Sequence, residues 1–167
     1  MLSLVLDRSD SNAPNQAMLF NKYVVKGKQE LLHEIGQDTL AETITVDSPI
    51  PFSMEKLILE LQALDVEEVA GARANTTKHG DYFGKLTRFV QRLDAKIRDK
   101  RLNFMFSTDE TLLKYEYLNE LCKTILLPAS DGGGVKVIDF SEVPSDILPL
   151  IISLVARLIF TVQQWTD

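Results

Sequence analysis

The chain has 167 residues and a mass of 18.8 kDa, which predicts one domain with enough length to bury a core. Hydrophobic residues make up 45% and charged residues 25%, and the formal charge of −6 excludes a uniformly basic nucleic-acid binder while leaving room for a local basic patch. A single cysteine, Cys122, excludes an intrachain disulfide and any zinc site built on several thiolates, and the two histidines, His33 and His79, stand apart.

Met1–Leu6 lacks a basic leading segment and does not read as a secretory signal, so a cytoplasmic location is expected. The longest apolar run, Ile147–Ala156, continues through Arg157 into Leu158–Phe160. A membrane span needs roughly 20 predominantly apolar residues. Pro149 and Arg157 interrupt this run, so it predicts a buried core helix and no membrane contact.

Leu2–Leu6 is a short apolar run suited to a strand or a helix start, and polar Arg8–Asn15 with Pro14 reads as a loop. Gln16–Ile35 has helical composition weakened at Gly27, which predicts two short helices or one kinked helix. Thr43–Val46 predicts an extended segment leading into Asp47-Ser48-Pro49-Ile50-Pro51, where the prolines forbid a helix. Ser53 is a suitable N-cap for an amphipathic helix carrying Leu57, Leu61 and Leu64. Ala70–Gly80 is small and polar and predicts a mobile loop.

Tyr82–Arg98 is the clearest amphipathic helix, with Leu86, Phe89, Val90, Leu93 and Ile97 opposite Lys85, Arg88, Arg92 and Lys96. Leu102–Phe106 suits a strand or a packed turn. Thr111–Leu127 predicts a helix with Cys122 on its apolar face. Pro128 and Asp131-Gly132-Gly133-Gly134 break the chain. Val135–Phe140 predicts a buried strand, and Ser145 or Asp146 caps a last helix running to about Trp165, apolar all round and therefore buried on most sides.

The chemistry is sparse. Gly132–Gly134 precedes a predicted strand, whereas a phosphate-cradling loop follows one and ends in Lys-Ser/Thr, so these glycines are a connection. Asp139, with Glu142 three residues on, lies at the end of the predicted strand, where α/β proteins bind ligands. The plainer alternative is that Asp139 and Ser141 bond backbone groups of the turn. Residues 85–101 carry a net charge of +5 against −11 for the remainder. Lys85, Arg88, Arg92 and Lys96 fall on one stripe that can track phosphates without reading sequence, or pair with the acids of residues 55–68. Arg157 within the apolar helix needs a partner if buried, with Asp139, Glu142 or a neighbouring subunit as candidates. No nucleophile stands beside a base, and no metal set is evident.

The segments Val137-Ile138-Asp139-Phe140-Ser141-Glu142-Val143-Pro144, Ala156-Arg157-Leu158-Ile159-Phe160 and Gln163-Gln164-Trp165 resemble the bacterial HerA-type ATPases, relatives of the FtsK translocases. Upstream, Ile44-Thr45-Val46-Asp47-Ser48-Pro49-Ile50-Pro51-Phe52 and Phe83-Gly84-Lys85-Leu86-Thr87-Arg88-Phe89 extend the similarity, in the family's order, over most of residues 43–167. The resemblance implies a hexameric ring with a RecA-like core that hydrolyses ATP with magnesium and moves on double-stranded DNA. Partners implied are a nuclease in DNA end processing, or a nuclease or sirtuin-like NADase in antiphage systems.

The family's Walker A loop is expected before residue 1 and its Walker B strand after residue 167. This chain then corresponds to an internal piece with no ATPase activity of its own. The fold expectation is mostly α with a minor α/β part: a helical insertion over 1–130, with 1–42 as independent helices, and a strand–helix piece of the core over 131–167. The alternative is a helical module that docks a partner effector.

Overall fold

Apolar stripes from four helices meet in one core. In the computed structural model, which describes residues 2–73, 75–102, 104–106, 110–127 and 134–166, the helices are α1 (Leu2–Val5), α2 (Ala13–Glu34), α3 (Asp38–Ala41), α4 (Met54–Asp65), α5 (Thr87–Ile97), α6 (Tyr117–Leu126) and α7 (Leu148–Thr166). A two-stranded antiparallel sheet, β1 (Glu68–Ala70) and β2 (Thr77–His79), joins α4 to α5 with Val69 opposite Lys78. The chain divides into two compact units, Met1–Leu113 and Lys114–Asp167. The expectation of a mostly α chain is borne out. The predicted turn at Pro128 and Asp131–Gly133 lies outside the described residues.

In the first unit, Val5 of α1, Leu19, Phe20 and Val24 of α2, Leu57, Ile58 and Leu61 of α4, and Phe89, Val90 and Leu93 of α5 form the core with Leu86. Leu61, Phe89 and Leu93 are fully buried. Each such side chain contributes roughly 1.5–3 kcal/mol of transfer free energy. The rings of Phe20 and Phe89 meet edge to face at 6.1 Å, fixing α2 against α5.

Helix α2 is one 22-residue element, longer than the composition suggests. It starts inside the predicted loop because Pro14 sits in its first turn, where a missing N–H is harmless. Gly27 does not break it: the residue lies where the chain at Phe52 passes closely, and an added Cβ would meet the Phe52 Cβ at 3.4 Å. The helix ends at Gly36 (φ +73°), whose N–H donates to the His33 carbonyl while the Gln37 N–H reaches back to Leu32. Ser53 caps α4 as expected, its hydroxyl accepting the Lys56 N–H at 3.2 Å. Lys28 is buried in mid-helix. Its ammonium donates to the carbonyls of Val46 and Ser48, both at 2.6 Å, and ties down the segment ahead of the prolines.

Several expectations are corrected. The segment read as a mobile loop over Ala70–Gly80 is the β1–β2 hairpin, closed by Gly71 and by Asn75 at φ +61°. Helix α5 starts at Thr87 and not at Tyr82, because the chain turns at Gly84 (φ +69°). Thr111–Leu127 splits into a 3₁₀ turn at Glu110–Leu113 and α6. Leu102 and Phe106 are buried in a packed turn.

In the second unit, residues 135–140 form neither helix nor strand, and Val135 and Val137 are almost fully exposed. The predicted buried strand is therefore absent. Helix α7 runs to the expected end, yet none of Leu148–Trp165 is buried. This overturns the expected burial on most sides. An apolar helix buries its flanks only against other layers, and within the second unit α6 packs on it. Leu148–Trp165 has a mean hydropathy of 1.5 and is long and apolar enough to cross a membrane by length and composition.

Candidate nucleic-acid interface

The start of α5 is set by a residue from another helix. Asp65, the last residue of α4, is buried; its Oδ1 accepts the Leu86 N–H at 2.7 Å and its Oδ2 accepts the Thr87 hydroxyl at 2.5 Å. The Gly84 N–H donates to the Asp65 carbonyl at 2.9 Å, which completes the turn. A carboxylate at a helix C-terminus opposes the helix dipole, and here the N-terminus of α5 compensates it. The sequence Gly80-Asp81-Tyr82-Phe83-Gly84-Lys85-Leu86-Thr87 is one residue short of a phosphate-binding loop and carries Leu86 where Ser or Thr is required. Asp65 already fills the anion position at this helix end, so the residues present do not fit a nucleotide phosphate there. Among the described residues no group of His, Cys, Asp and Glu is arranged to hold a metal ion.

The four basic residues read as one stripe take different surroundings. Lys85 lies in the turn before α5, and its ammonium donates to the Asp81 carbonyl at 2.6 Å. Arg88 lies in the first turn of α5, exposed, with no ion-pair partner among the described residues. Arg92, one turn on, is half-buried and turned inward: its Nη1 donates to Asp7 Oδ2 at 3.2 Å, while its Nε and Nη2 are buried without a partner. Lys96 follows on the same helix, half-buried; hydrogen bonds from the Arg101 side chain and N–H hold Asp99 below the usual carboxylate range, and the Lys96 charge adds least to this. At the helix end Arg98 pairs with Asp94 at 2.8 Å and Arg101 with Asp99 at 2.6 Å, so part of the local positive charge is neutralised within the segment. Among the described residues Glu60 pairs with Lys26, and Glu30 with Lys26 and Lys56.

Around Arg92 a polar cluster joins the N-terminal segment to α2 and α5. The Asp7 carboxyl is held low by hydrogen bonds from the Ser9 hydroxyl and N–H and, less strongly, by Arg92. Asp10 is held low by the Asn12 N–H and by the Gln16 amide at 3.0 Å. Gln16 is fully buried, and its amide nitrogen also reaches the Lys85 carbonyl at 3.2 Å. Lys28 and Gln16 carry no signal in the sequence, and Asp65 enters it only as one of the acids of residues 55–68. The one legible sign was Asp65 at the wrong end of a helix for an acid.

In the second unit, Asp139 Oδ1 accepts the Ser141 N–H at 2.8 Å, and this bond holds its carboxyl low. Glu142 and Arg157 are exposed. Among the described residues no ion pair links Arg157 to Asp139 or Glu142.

Compared with known proteins, residues 1–159 match the family model for the central domain of the helicase HerA. No curated protein matches the chain. The match spans both the helical unit that carries Asp65 and Arg88 and most of α7, so the chain belongs to the HerA helicase central-domain family.

Proposed function

We propose that this chain is a working part of a HerA-like, ATP-dependent DNA translocase whose helical unit contacts the DNA backbone and neighbouring subunits. The family match over residues 1–159 carries this proposal. In it the assembled protein is a hexameric ring with a RecA-like core. ATP and magnesium are held by residues outside this chain, because the chain has no phosphate loop of the required pattern. The chain alone is then inactive as an ATPase. DNA end processing and antiphage defence, with a nuclease or a sirtuin-like NADase as partner, are the settings that fit such a motor, in the cytoplasm.

Arg88 is the strongest DNA-contact candidate, since it is exposed and without an acidic partner among the described residues, with Lys85 beside it and Lys96 further along. Arg92 serves the fold. Asp139, Glu142 and Arg157 take their place at a subunit or core contact. Pro149 in the first turn of α7 and Arg157 in its middle favour packing against protein over insertion in a bilayer.

Fluorescence anisotropy of a labelled duplex, titrated with the chain over a range of salt, tests the DNA role. Binding should weaken steeply with salt and fall further in Arg88→Glu. Salt-insensitive binding, or binding untouched by Arg88→Glu, would remove Arg88 from the interface. Calorimetric titration with Mg-ATP should give no heat of binding, and stoichiometric binding would overturn the assignment of the nucleotide site to residues elsewhere.

The exposed apolar residues of the second unit favour a second reading, a docking module. Ile152, Leu154, Phe160 and Trp165 on α7 are at least 45% exposed, and apolar surface of this kind marks a contact with another layer or partner.

A further inference from the structure

The β1–β2 hairpin carries aromatic surface that the core does not use. All three residues of β2 are exposed, and a two-stranded hairpin is marginal by itself. Its exit is nevertheless firmly held. The Gly80 N–H donates to the Glu67 carbonyl at 2.8 Å and the Gly84 N–H to the Asp65 carbonyl at 2.9 Å, so both ends of the connection to α5 are tied to the chain at the end of α4. Gly80 suits this close approach, since an added Cβ would stand 3.2 Å from the Glu67 carbonyl oxygen. Between these ties the Phe83 N–H donates to the Gly80 carbonyl at 3.2 Å, and the turn brings the Phe83 ring back onto His79. The two rings are within 4° of parallel, with centroids 3.7 Å apart. Tyr82 packs on the core, whereas Phe83 is half-buried against an exposed His79. A stacked ring that is still exposed presents its other face to solvent.

The adjoining segment is cationic. Residues 77–88 carry Lys78, Lys85 and Arg88 against Asp81, all four exposed. Lys85 lies two positions beyond Phe83, and Arg88 stands in the first turn of the helix that follows. Glu68, opposite His79 in the ladder, accepts the Thr77 hydroxyl at 2.9 Å. Its charge disfavours a phosphate over the ladder and leaves a backbone to Lys85 and Arg88. An open flat ring beside cations matches a ligand with a flat π face on a phosphate backbone, which is a nucleotide. Within a duplex each base face is covered by its neighbours, so the base that can stack here is unpaired. An apolar peptide would leave the cations unused.

We propose that the His79–Phe83 stack is a platform for an unpaired base of a single strand, with Lys85 and Arg88 on the adjoining phosphates. This rests on the nucleic-acid reading of Arg88 and extends it from backbone contact to strand state. Arg88 by itself does not tell a single strand from a duplex, because both present phosphates. The ring face does, because only the single strand presents open bases.

The test is fluorescence anisotropy of the full chain with three labelled probes: an oligothymidylate, a strand of equal length built from abasic residues, and a duplex. The oligothymidylate should bind about tenfold tighter than the abasic strand, as expected for one base stacked on a ring. His79→Ala should abolish that preference and leave duplex binding as it was. His79→Tyr, which keeps a ring, should retain the preference. His79 is exposed, so the circular dichroism of both variants should match the wild type. Arg88→Glu should weaken binding of all three probes. Equal binding of the two strands, or a preference that survives His79→Ala, would overturn the platform even with the Arg88 effect intact. A preference lost in His79→Ala while Arg88→Glu changes nothing would uphold the platform and remove Arg88. Absence of binding to every probe would overturn both.

Discussion

The Asp65 carboxylate accepts the Leu86 backbone N–H at 2.7 Å, although they lie 21 positions apart, Asp65 at the end of α4 and Leu86 just ahead of α5. With the Thr87 hydroxyl on its second oxygen, Asp65 acts as the N-cap that α5 lacks in its own sequence: the residue at the cap position is Leu86, which has no side chain to serve. The position of Arg88 follows from this bond, since it sits in the first turn of a helix whose start Asp65 defines.

Asp65→Ala removes a buried cap and leaves the Leu86 N–H unpaired. The expected loss is about 2–3 kcal/mol, the sum of a cap and a charge-assisted bond. Asp65→Asn keeps one acceptor and should cost less. Urea denaturation followed by circular dichroism measures both, and a loss below about 0.5 kcal/mol, the level of an ordinary surface change, would show that α5 needs no external cap.

Arg92 separates stability from DNA contact. Arg92→Glu places a third acid beside Asp7 and Asp10 and should lower the thermal midpoint. Arg92→Met keeps the apolar stem and removes two buried, unpartnered nitrogens, so the midpoint should hold or rise. A fall in Arg92→Met as large as in Arg92→Glu would mean the guanidinium has partners that stabilise it.

Lys28 gives a pH dependence of defined sign. Burial lowers its pKa below 10.5, opposed in part by Asp47. The folded state therefore releases this proton more readily than the unfolded chain. The cost of the buried charge is fully present below the folded pKa and fades as pH rises toward 10.5. The stability difference between the wild type and Lys28→Met should shift in favour of the wild type over that interval. A difference independent of pH up to 10.5 would show that Lys28 titrates as an exposed lysine does.

The exposed apolar face of α7 should drive association. Leu154 and Phe160 are 51% and 63% exposed. Sedimentation velocity should show concentration-dependent assembly that persists in high salt, as apolar contacts do, and that falls in Leu154→Glu/Phe160→Glu. The double substitution should leave the unfolding of the first unit unchanged. Assembly that dissolves in salt would point to the charged faces.

The helices with a strong apolar period were legible in the sequence. Leu57, Leu61 and Leu64 announced α4, Ser53 its cap, and Phe89, Val90 and Leu93 the buried face of α5. A local pattern suffices there because one side of a helix must leave water wherever its partners lie. The resemblance in residues 43–167 likewise pointed to the family, through short segments in a shared order.

The tertiary structure decided what depends on residues far apart in the chain. Gly27 alone reads as a weak point, and only the passage of Phe52 beside it explains a continuous α2. The polar stretch 70–80 reads as a loop until Val69 meets Lys78 across a ladder. Arg92 belongs to the basic stripe by spacing, yet Asp7, 85 positions earlier, draws it inward. Apolar composition likewise predicted a buried strand over 135–140 and a buried helix running to about Trp165, and composition alone does not supply the layers that bury them. Spacing assigns a residue to a face; the groups brought against that face from elsewhere in the chain assign its charge, its exposure and its work.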